Sequence, residues 1–136
     1  MTNKPTLHII LTTLCYLLTI NCFAQAVNFS DLELKRFLIT ENCVDTTLNG
    51  LSFSNDRNAD VNGDGEIQIT EALQIKALEI KDFTDQYTIE SLLDLNEFKN
   101  LNYLKIIDND SLKRIEKLNL DSLKTLWISD GISLRY

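Results

Sequence analysis

Histidine and cysteine are scarce in this chain: His8 is the only histidine among 136 residues, and there are three cysteines. His8 lies in an amino-terminal segment with the composition of an export signal, so a processed chain would contain no histidine. Catalytic triads and dyads with a histidine base, imidazole acid–base chemistry and histidine-ligated zinc are then excluded. A carboxylate hydrolase needs only a pair of acids, but no pair is singled out by its spacing. We therefore expect that the protein is not an enzyme.

Residues 1–26 have the pattern of a signal peptide. Lys4 is followed by a mostly apolar run from Leu7 to Phe23, and Ala24-Gln25-Ala26 is a small-x-small cleavage sequence. Cleavage after Ala24 and cleavage after Ala26 are both open. Threonine and asparagine interrupt the apolar run, so no stable membrane span is expected after cleavage. The segment predicts a secreted, periplasmic or cell-surface protein.

Loss of the signal peptide would remove Cys15 and Cys22 and leave Cys43 alone. Cys22 raises the question of a lipid anchor, but Thr19-Ile20-Asn21 is a poor lipidation sequence, which favours an ordinary signal-peptide cysteine. One remaining cysteine excludes an intramolecular disulfide. Because no base or cationic neighbour of Cys43 is evident, we expect a small buried residue rather than a reactive thiol.

The processed chain would be acidic. Lys4 is the only basic residue before residue 27, so 12 of the 13 Lys and Arg remain against all 20 Asp and Glu, a net charge of −8. Nucleic-acid binding needs clustered Lys and Arg to contact phosphates, so nucleic acid is not an expected partner. An acidic exported protein is instead suited to holding cations.

The twelve residues from Asp60 to Glu71 match the calcium-binding loop of EF-hand proteins. Calcium takes about six to eight oxygen ligands, which such a loop supplies from its positions 1, 3, 5, 7, 9 and 12. Gly65 occupies position 6, where the chain turns sharply, and Ile67 at position 8 is expected to anchor the loop. An Asp/Asn/Gly-rich turn is the alternative. The predicted Ca²⁺ ligands are Asp60, Asn62, Asp64, the Glu66 carbonyl, Gln68 and Glu71.

A second, poorer match to the calcium template runs from Asp45 to Asp56. Asn49 and Gly50 fit its fifth and sixth positions, whereas Phe53 occupies the ninth and Asp56 is shorter than the usual Glu. We interpret the segment as a decayed or weak loop. Whether it binds a second ion stays open, and Phe53 is expected to pack beneath the first helix.

Two helices are predicted around these loops. Ser30 and Glu33 form a capping box, which predicts a helix from Asp31 to about Thr40. Thr70 is the expected N-cap of a short helix from Glu71 to about Ile75. The first helix should bury three apolar side chains, those of Leu34, Phe37 and Leu38.

The carboxy-terminal half has a different hydrophobic period, with apolar residues at every third position followed by a spacing of two. An amphipathic α-helix needs alternating spacings of three and four, and an isolated strand needs two. The leucine-rich-repeat pattern L-x-x-L-x-L fits better. It occurs three times, at 75–82, 101–109 and 123–131, with Leu78, Leu104 and Leu126 as equivalent positions.

These patterns predict an α/β fold built of two parts. The first, 27–75, is an N-terminal helix with the EF-hand-like calcium loop (60–71), and it caps the second, a short leucine-rich-repeat solenoid of about three repeats at 76–136. An ordinary α/β domain with leucine-rich strands is the alternative, because three repeats are a short sample.

From about Val27 to Trp127 the chain resembles a family of exported bacterial leucine-rich-repeat proteins. The residues that carry the resemblance are the first helix, the D-x-N-x-D-G-E-I sequence of the calcium loop and the leucine repeats. The resemblance implies a secreted or surface-exposed protein that binds another protein or a glycan. Members often carry a sorting domain, whereas this sequence stops at Tyr136, so a truncated remnant of a larger surface protein is one alternative. The start of the loop also resembles a dockerin, an anchoring module that carries two such loops.

Side chains between the apolar repeat positions are the expected partner-binding residues. Trp127 alternates with Leu126 and Ile128, which should point inward, so Trp127 should point outward, where tryptophan often dominates partner recognition. Packing of Trp127 under the carboxy-terminal end of the repeats is the alternative. The predicted partner-binding residues are Lys105, Lys124 and Trp127.

Overall fold

The computed structural model describes residues 25–48, 53–83, 85–113, 115 and 118–129. In chain order the elements are helix α1 (Leu32–Thr40), helix α2 (Ile69–Ala72), strand β1 (Ala77–Lys81), the 3-10 helix η1 (Leu93–Glu97), strand β2 (Tyr103–Ile107) and strand β3 (Thr125–Ser129). Within this part of the chain, no helix has the length and apolar character needed to cross a bilayer. Of the predicted signal peptide, only Gln25 and Ala26 lie among the described residues.

The three strands form one parallel sheet in the order β1-β2-β3. Leu78 pairs with Leu104, and Leu104 pairs with Leu126. The strand positions and the register predicted from the leucine spacing are therefore confirmed. Leu78 and Leu104 are fully buried and belong to the same apolar core as the buried face of α1, which consists, as predicted, of Leu34, Phe37 and Leu38.

The prediction of a leucine-rich-repeat solenoid is wrong. The described residues form two α-helices and a single three-stranded parallel sheet, and the connections between its strands do not repeat. Helix η1 lies between β1 and β2, whereas the described residues between β2 and β3 contain no helix. β1 is almost entirely buried and β3 is largely exposed, although stacked equivalent units should bury equivalent positions alike. The alternative of an α/β domain with leucine-rich strands agrees better with this architecture.

A short extended segment, Cys43 to Asp45, covers the outer edge of β1. The Glu79 N–H donates to the Cys43 carbonyl oxygen at 2.8 Å, and the Asp45 N–H donates to the Ala77 carbonyl oxygen at 3.2 Å. An unpaired strand edge invites association with other chains, and this segment removes that risk for β1.

Cys43, the first residue of this edge segment, is buried, and burial raises the pKa of its thiol to about 12. The thiol is therefore protonated at neutral pH and is not available as a nucleophile or a metal ligand. The predicted burial of Cys43 is confirmed.

Helix α1 begins differently from the prediction. The N-cap is Asp31, not Ser30, and its carboxylate accepts the N–H groups of Glu33 and Leu34. Ser30 instead donates through its hydroxyl and its N–H to the carboxylate of Asp94, which lies in η1. Both Ser and Asp are good N-caps, so the local sequence does not distinguish them. Because Ser30 is bonded to Asp94, the N-cap of α1 is Asp31.

Helix α2 is shorter and begins earlier than predicted. It spans Ile69–Ala72 with Gln68 as N-cap, so Thr70 lies inside it. The Glu71 carboxylate accepts the Gln68 N–H at 2.9 Å, which is the acidic half of a capping box. Glu71 therefore stabilises the start of α2 as well as being the last predicted calcium ligand.

Candidate metal centre

The predicted calcium loop, residues 60–71, is shaped by two glycines and by the first acid. Gly63 and Gly65 have φ angles of +72° and +83°, in the left-handed region that other residues enter only with strain. This conformation turns their N–H groups toward Asp60, whose Oδ1 accepts from Gly63 at 2.7 Å and whose Oδ2 accepts from Gly65 at 2.8 Å. The carboxylate at position 1 is thereby directed into the loop.

Glu71, at position 12, reaches back across the loop to its beginning. Its Oε1 accepts the N–H groups of Val61 and Asn62 at 2.9 and 3.1 Å. Both Asp60 and Glu71 are buried, although the six residues from Val61 to Glu66 between them are exposed. The first and last predicted ligands therefore close a ring around the exposed turn.

The predicted ligands at positions 3, 5 and 9 contact one another inside this ring. Asn62 Nδ2 donates to Asp64 Oδ2 at 2.9 Å and to Gln68 Oε1 at 3.2 Å. Gln68 Nε2 also donates to Asp64 Oδ2, at 2.8 Å. The Glu66 N–H, which donates to Asp64 Oδ1, and then the side-chain amides of Gln68 and Asn62 lower the pKa of the Asp64 carboxyl. Three predicted ligands are therefore brought together, with amide hydrogens acting as the positive partners of the carboxylate.

The Glu66 side chain does not take part in this cluster. Its Oε1 pairs with Lys35 Nζ of α1 at 2.6 Å, which agrees with the prediction that only its carbonyl is a ligand. Lys35 was not singled out from the sequence. No local pattern links it to residue 66, because the two positions are 31 residues apart.

The loop is anchored by Ile67, which is fully buried, as predicted. Its carbonyl oxygen accepts the Val27 N–H at 2.8 Å, and the Ile69 N–H donates to the Gln25 carbonyl oxygen, also at 2.8 Å. Ala26 and Gln68 form an antiparallel bridge between these two bonds. The extended segment Gln25 to Val27 is therefore paired with the second half of the loop, an arrangement with no signal in the sequence pattern.

Among the described residues, no group of three or more His, Cys, Asp or Glu side chains is arranged to hold a metal ion. The predicted set has only three carboxylates, and each of them is hydrogen-bonded to N–H groups. Asp60 Oδ2, Asp64 Oδ1 and Glu71 Oε2 each accept one of these bonds. A carboxylate oxygen has two lone pairs, so one oxygen of each carboxylate keeps capacity for a cation. Hard carboxylate, amide and carbonyl oxygens are the ligand types that calcium takes. The residues therefore fit Ca²⁺ by ligand type, and the site stays a prediction.

The second template, 45–56, uses its acids for internal hydrogen bonds. Asp45 is buried and accepts from the Thr47 N–H and hydroxyl through Oδ1 and from the Ser54 N–H through Oδ2. Asp56 accepts from the N–H and hydroxyl of Thr46. Residues 49–52, which include the predicted turn glycine, lie outside the described residues. Its ninth residue, Phe53, contacts the ring of Tyr103 in β2 at a centroid distance of 5.8 Å, and its packing beneath the first helix stays a prediction.

Glu79, Lys105 and Trp127 lie side by side on one face of the sheet. In the register, Glu79 pairs with Lys105 and Lys105 pairs with Trp127. Glu79 is only 4% exposed and accepts from Lys105 Nζ at 2.6 Å and from Lys81 Nζ at 3.1 Å. Burial raises the pKa of the Glu79 carboxyl, but the hydrogen bonds, that from Lys105 first, outweigh burial and lower it below its ordinary value of 4.5. The ion pairs therefore contribute stability at neutral pH that is lost as the pH falls through the lowered pKa.

Of the predicted partner-binding residues, Lys105 and Trp127 are neighbours on this face, and Lys124 lies exposed just before β3. Trp127 is 54% exposed, which agrees with an outward side chain. Leu126 and Ile128 are 47% and 38% exposed, so the expectation that they are buried inside is wrong. No described strand lies on the far side of β3 to cover them.

Comparisons of the chain with protein-family models, with curated proteins and with solved structures give no match.

Proposed function

We propose that this protein is an exported calcium-binding module that recognises another protein or a glycan, and that its role is binding rather than catalysis. One observation supports the calcium site above all others. Asp60 and Glu71, which stand at the first and last positions of the ligand template, turn into the same loop from its two ends. An Asp-rich turn without an ion site does not require the side chain at position 12 to reach the N–H groups at positions 2 and 3.

The proposed ion would be held by Asp60, Asn62, Asp64, the Glu66 carbonyl, Gln68 and Glu71. Its charge would offset the repulsion among three carboxylates in one short loop. The loop lies between the amino-terminal segment and α2, and β1 begins five residues after α2 ends. An ion at this position would therefore stabilise the junction between the helical part and the sheet.

Calcium titration of the exported chain tests this proposal. We expect one site, with a dissociation constant of about 10⁻⁴ to 10⁻³ M, as in other extracellular calcium modules. When the calcium concentration is ten times the dissociation constant, calcium should raise the free energy of unfolding by about 1.4 kcal/mol. Isothermal titration calorimetry gives the stoichiometry, and thermal unfolding with calcium and with a chelator gives the stabilisation.

Two results would contradict this expectation. Identical melting temperatures in chelator and in about 10 mM calcium, ten times the weakest expected dissociation constant, together with no heat of binding, would exclude the site. Two equivalent sites would mean that 45–56 also binds calcium, in spite of the internal hydrogen bonds of Asp45 and Asp56. Magnesium at the same concentration is the matched control for ionic strength.

The proposed recognition surface is the exposed part of the sheet around Trp127. An exposed tryptophan beside Lys105 combines a large apolar ring with a hydrogen-bond donor, a combination that is common at binding hot spots. Lys105 is partly committed to Glu79, so Trp127 is expected to carry most of the binding free energy.

We expect the Trp127→Ala variant to lose at least about tenfold in affinity for its partner, since a hot-spot tryptophan contributes about 2 kcal/mol or more. Glycan and peptide arrays probed with the wild-type chain supply the ligand, and a titration of the best binder measures the loss. Leu32→Ala is the matched control, because Leu32 is also an exposed apolar residue but lies on α1. An equal change in affinity in both variants would mean that Trp127 has no special role in binding and that the recognition surface lies elsewhere.

A further inference from the structure

The segment Gln25 to Val27 lies at the amino-terminal limit of the described residues and behaves as part of the calcium loop. Along one edge, its Val27 N–H donates to the Ile67 carbonyl oxygen and its Gln25 carbonyl oxygen accepts the Ile69 N–H. Val27 and Ile67 are both buried. The segment is therefore a short strand added to the loop.

The pairing places different demands on the two candidate cleavage positions. Cleavage after Ala26 would remove the Gln25 carbonyl, which accepts the Ile69 N–H at 2.8 Å, and would also remove the bridge between Ala26 and Gln68. Ile69 is the first residue of α2, and N–H groups in the first turn of a helix have no acceptor within that helix. Cleavage after Ala24 would keep both contacts.

We propose that the precursor is cut between Ala24 and Gln25, and that the new amino terminus is a structural part of the calcium site. Water hydrolyses the amide bond, so that Ala24 leaves with a carboxylate and Gln25 gains an amino group. The bond follows Cys22-Phe23-Ala24, which, like Ala24-Gln25-Ala26, has small residues at the first and third positions before the cut. This inference rests on the proposed calcium site for its effect on binding, but not for the position of the cut.

The segment Gln25 to Val27 affects calcium binding through the loop residues with which it pairs. Ile67 lies between positions 7 and 9 of the loop, and Gln68, at position 9, contacts Asp64. Ordering of Ile67 to Ile69 by the strand therefore orders one predicted ligand, Gln68, and the residue that follows another, Glu66, before the ion arrives. By linkage, calcium must stabilise the paired strand by the same factor by which the strand strengthens calcium binding.

The experiment uses the full-length chain, exported by a bacterial host, and a second full-length chain from which Gln25 and Ala26 are deleted. Mass spectrometry gives the amino terminus of each exported product, and calorimetry gives calcium affinity. We expect wild type to begin at Gln25, or at its cyclised form, which keeps the same carbonyl. We expect the deletion variant to bind calcium about fivefold more weakly, the loss expected from one net backbone hydrogen bond.

Gln25→Ala is the control, because the bond to Ile69 uses the main-chain carbonyl, and this variant should bind calcium like wild type. A wild-type product that begins at Val27, or one that keeps residues 1–24, would overturn the processing proposal. Equal calcium affinity of wild type and the deletion variant would overturn the coupling. If neither chain binds calcium, the calcium site fails, and the inference then stands or falls on a lower melting temperature of the deletion variant.

Discussion

Replacement of Glu71 by glutamine should weaken calcium binding by at least about tenfold, since the acid at position 12 supplies two oxygens to the ion and a neutral amide supplies only one. In the structure, Glu71 Oε1 accepts from Val61 and Asn62, and Oε2 accepts from Gln68. A glutamine cannot accept through both of its terminal atoms, because one of them is a donor. The substitution should therefore weaken the hydrogen bonds that Glu71 makes across the loop, in addition to removing its charge. Calorimetric titration of both proteins measures the effect.

Glu66→Gln is the matched control for this prediction. It removes the same charge from the same loop, but the Glu66 carboxylate pairs with Lys35, and only its carbonyl is a proposed ligand. We expect its calcium affinity to change by less than about threefold, the range expected for loss of one screened surface charge. Equal weakening by both substitutions would mean that the loop attracts cations by net charge alone and has no defined ligand at position 12.

The two roles of Glu71 can be separated by working without calcium. In chelator, Glu71→Gln should still lower the free energy of unfolding by about 1 to 2 kcal/mol, because a buried N–H group loses a charged acceptor. In calcium, the difference in free energy of unfolding between this variant and wild type should be larger, because the variant also loses the stabilisation that bound calcium gives. A variant that is destabilised equally in both conditions would show that Glu71 is only a helix cap.

The turn of the predicted calcium loop could be predicted from the sequence because its information is local. Gly65, predicted to sit at the sharp turn, has a positive φ angle, and the binding of calcium by residues 60–71 stays a prediction. The pairing of the loop with Gln25 to Val27 was not predictable in the same way. It depends on main-chain hydrogen bonds across about forty residues, and main-chain bonds leave no pattern of side chains.

The sheet shows the same division between local and distant information. Leucine spacing places Leu78, Leu104 and Leu126 in register, because side chains that share one buried face must recur at the same position in each strand. The spacing contains nothing about the connections between strands or about what covers each edge. The solenoid prediction extended a correct register to connections that differ, and it also missed the segment Cys43 to Asp45 that covers β1.

The N-cap of α1 is not determined by the local sequence, and tertiary contacts decide between the two candidates. Ser30 with Glu33 and Asp31 with Leu34 are both reasonable cap arrangements by local rules. Asp94 accepts from both Ser30 and the Asp31 N–H, and this fixes the chain so that Asp31 caps the helix. The residue that decides the cap is 63 positions away from it.

The Asp31→Ala substitution should therefore be among the most destabilising changes of a single polar side chain in this protein. Asp31 Oδ1 accepts the N–H groups of Glu33 and Leu34 at 3.0 Å each. Its Oδ2 accepts those of Glu90 and Ser91 at 2.8 and 2.9 Å, so one carboxylate joins the start of α1 to the segment that precedes η1. Loss of the cap costs about 1 kcal/mol, and loss of charged acceptors for two further N–H groups brings the expected total to about 2 to 4 kcal/mol.

Denaturant unfolding of three variants separates the cap from the bridge. Ser30→Ala should cost less than about 1 kcal/mol, because Ser30 is exposed and its removal leaves the cap in place. Asp31→Asn keeps one acceptor oxygen for the cap but presents an amide NH₂ to the N–H groups of Glu90 and Ser91, so it should lose most of the bridge. If Asp31→Asn matched wild type while Asp31→Ala did not, capping alone would account for Asp31. A larger loss for Ser30→Ala than for Asp31→Ala would contradict the assignment of the cap, since the carboxylate would then hold neither the helix nor the segment before η1.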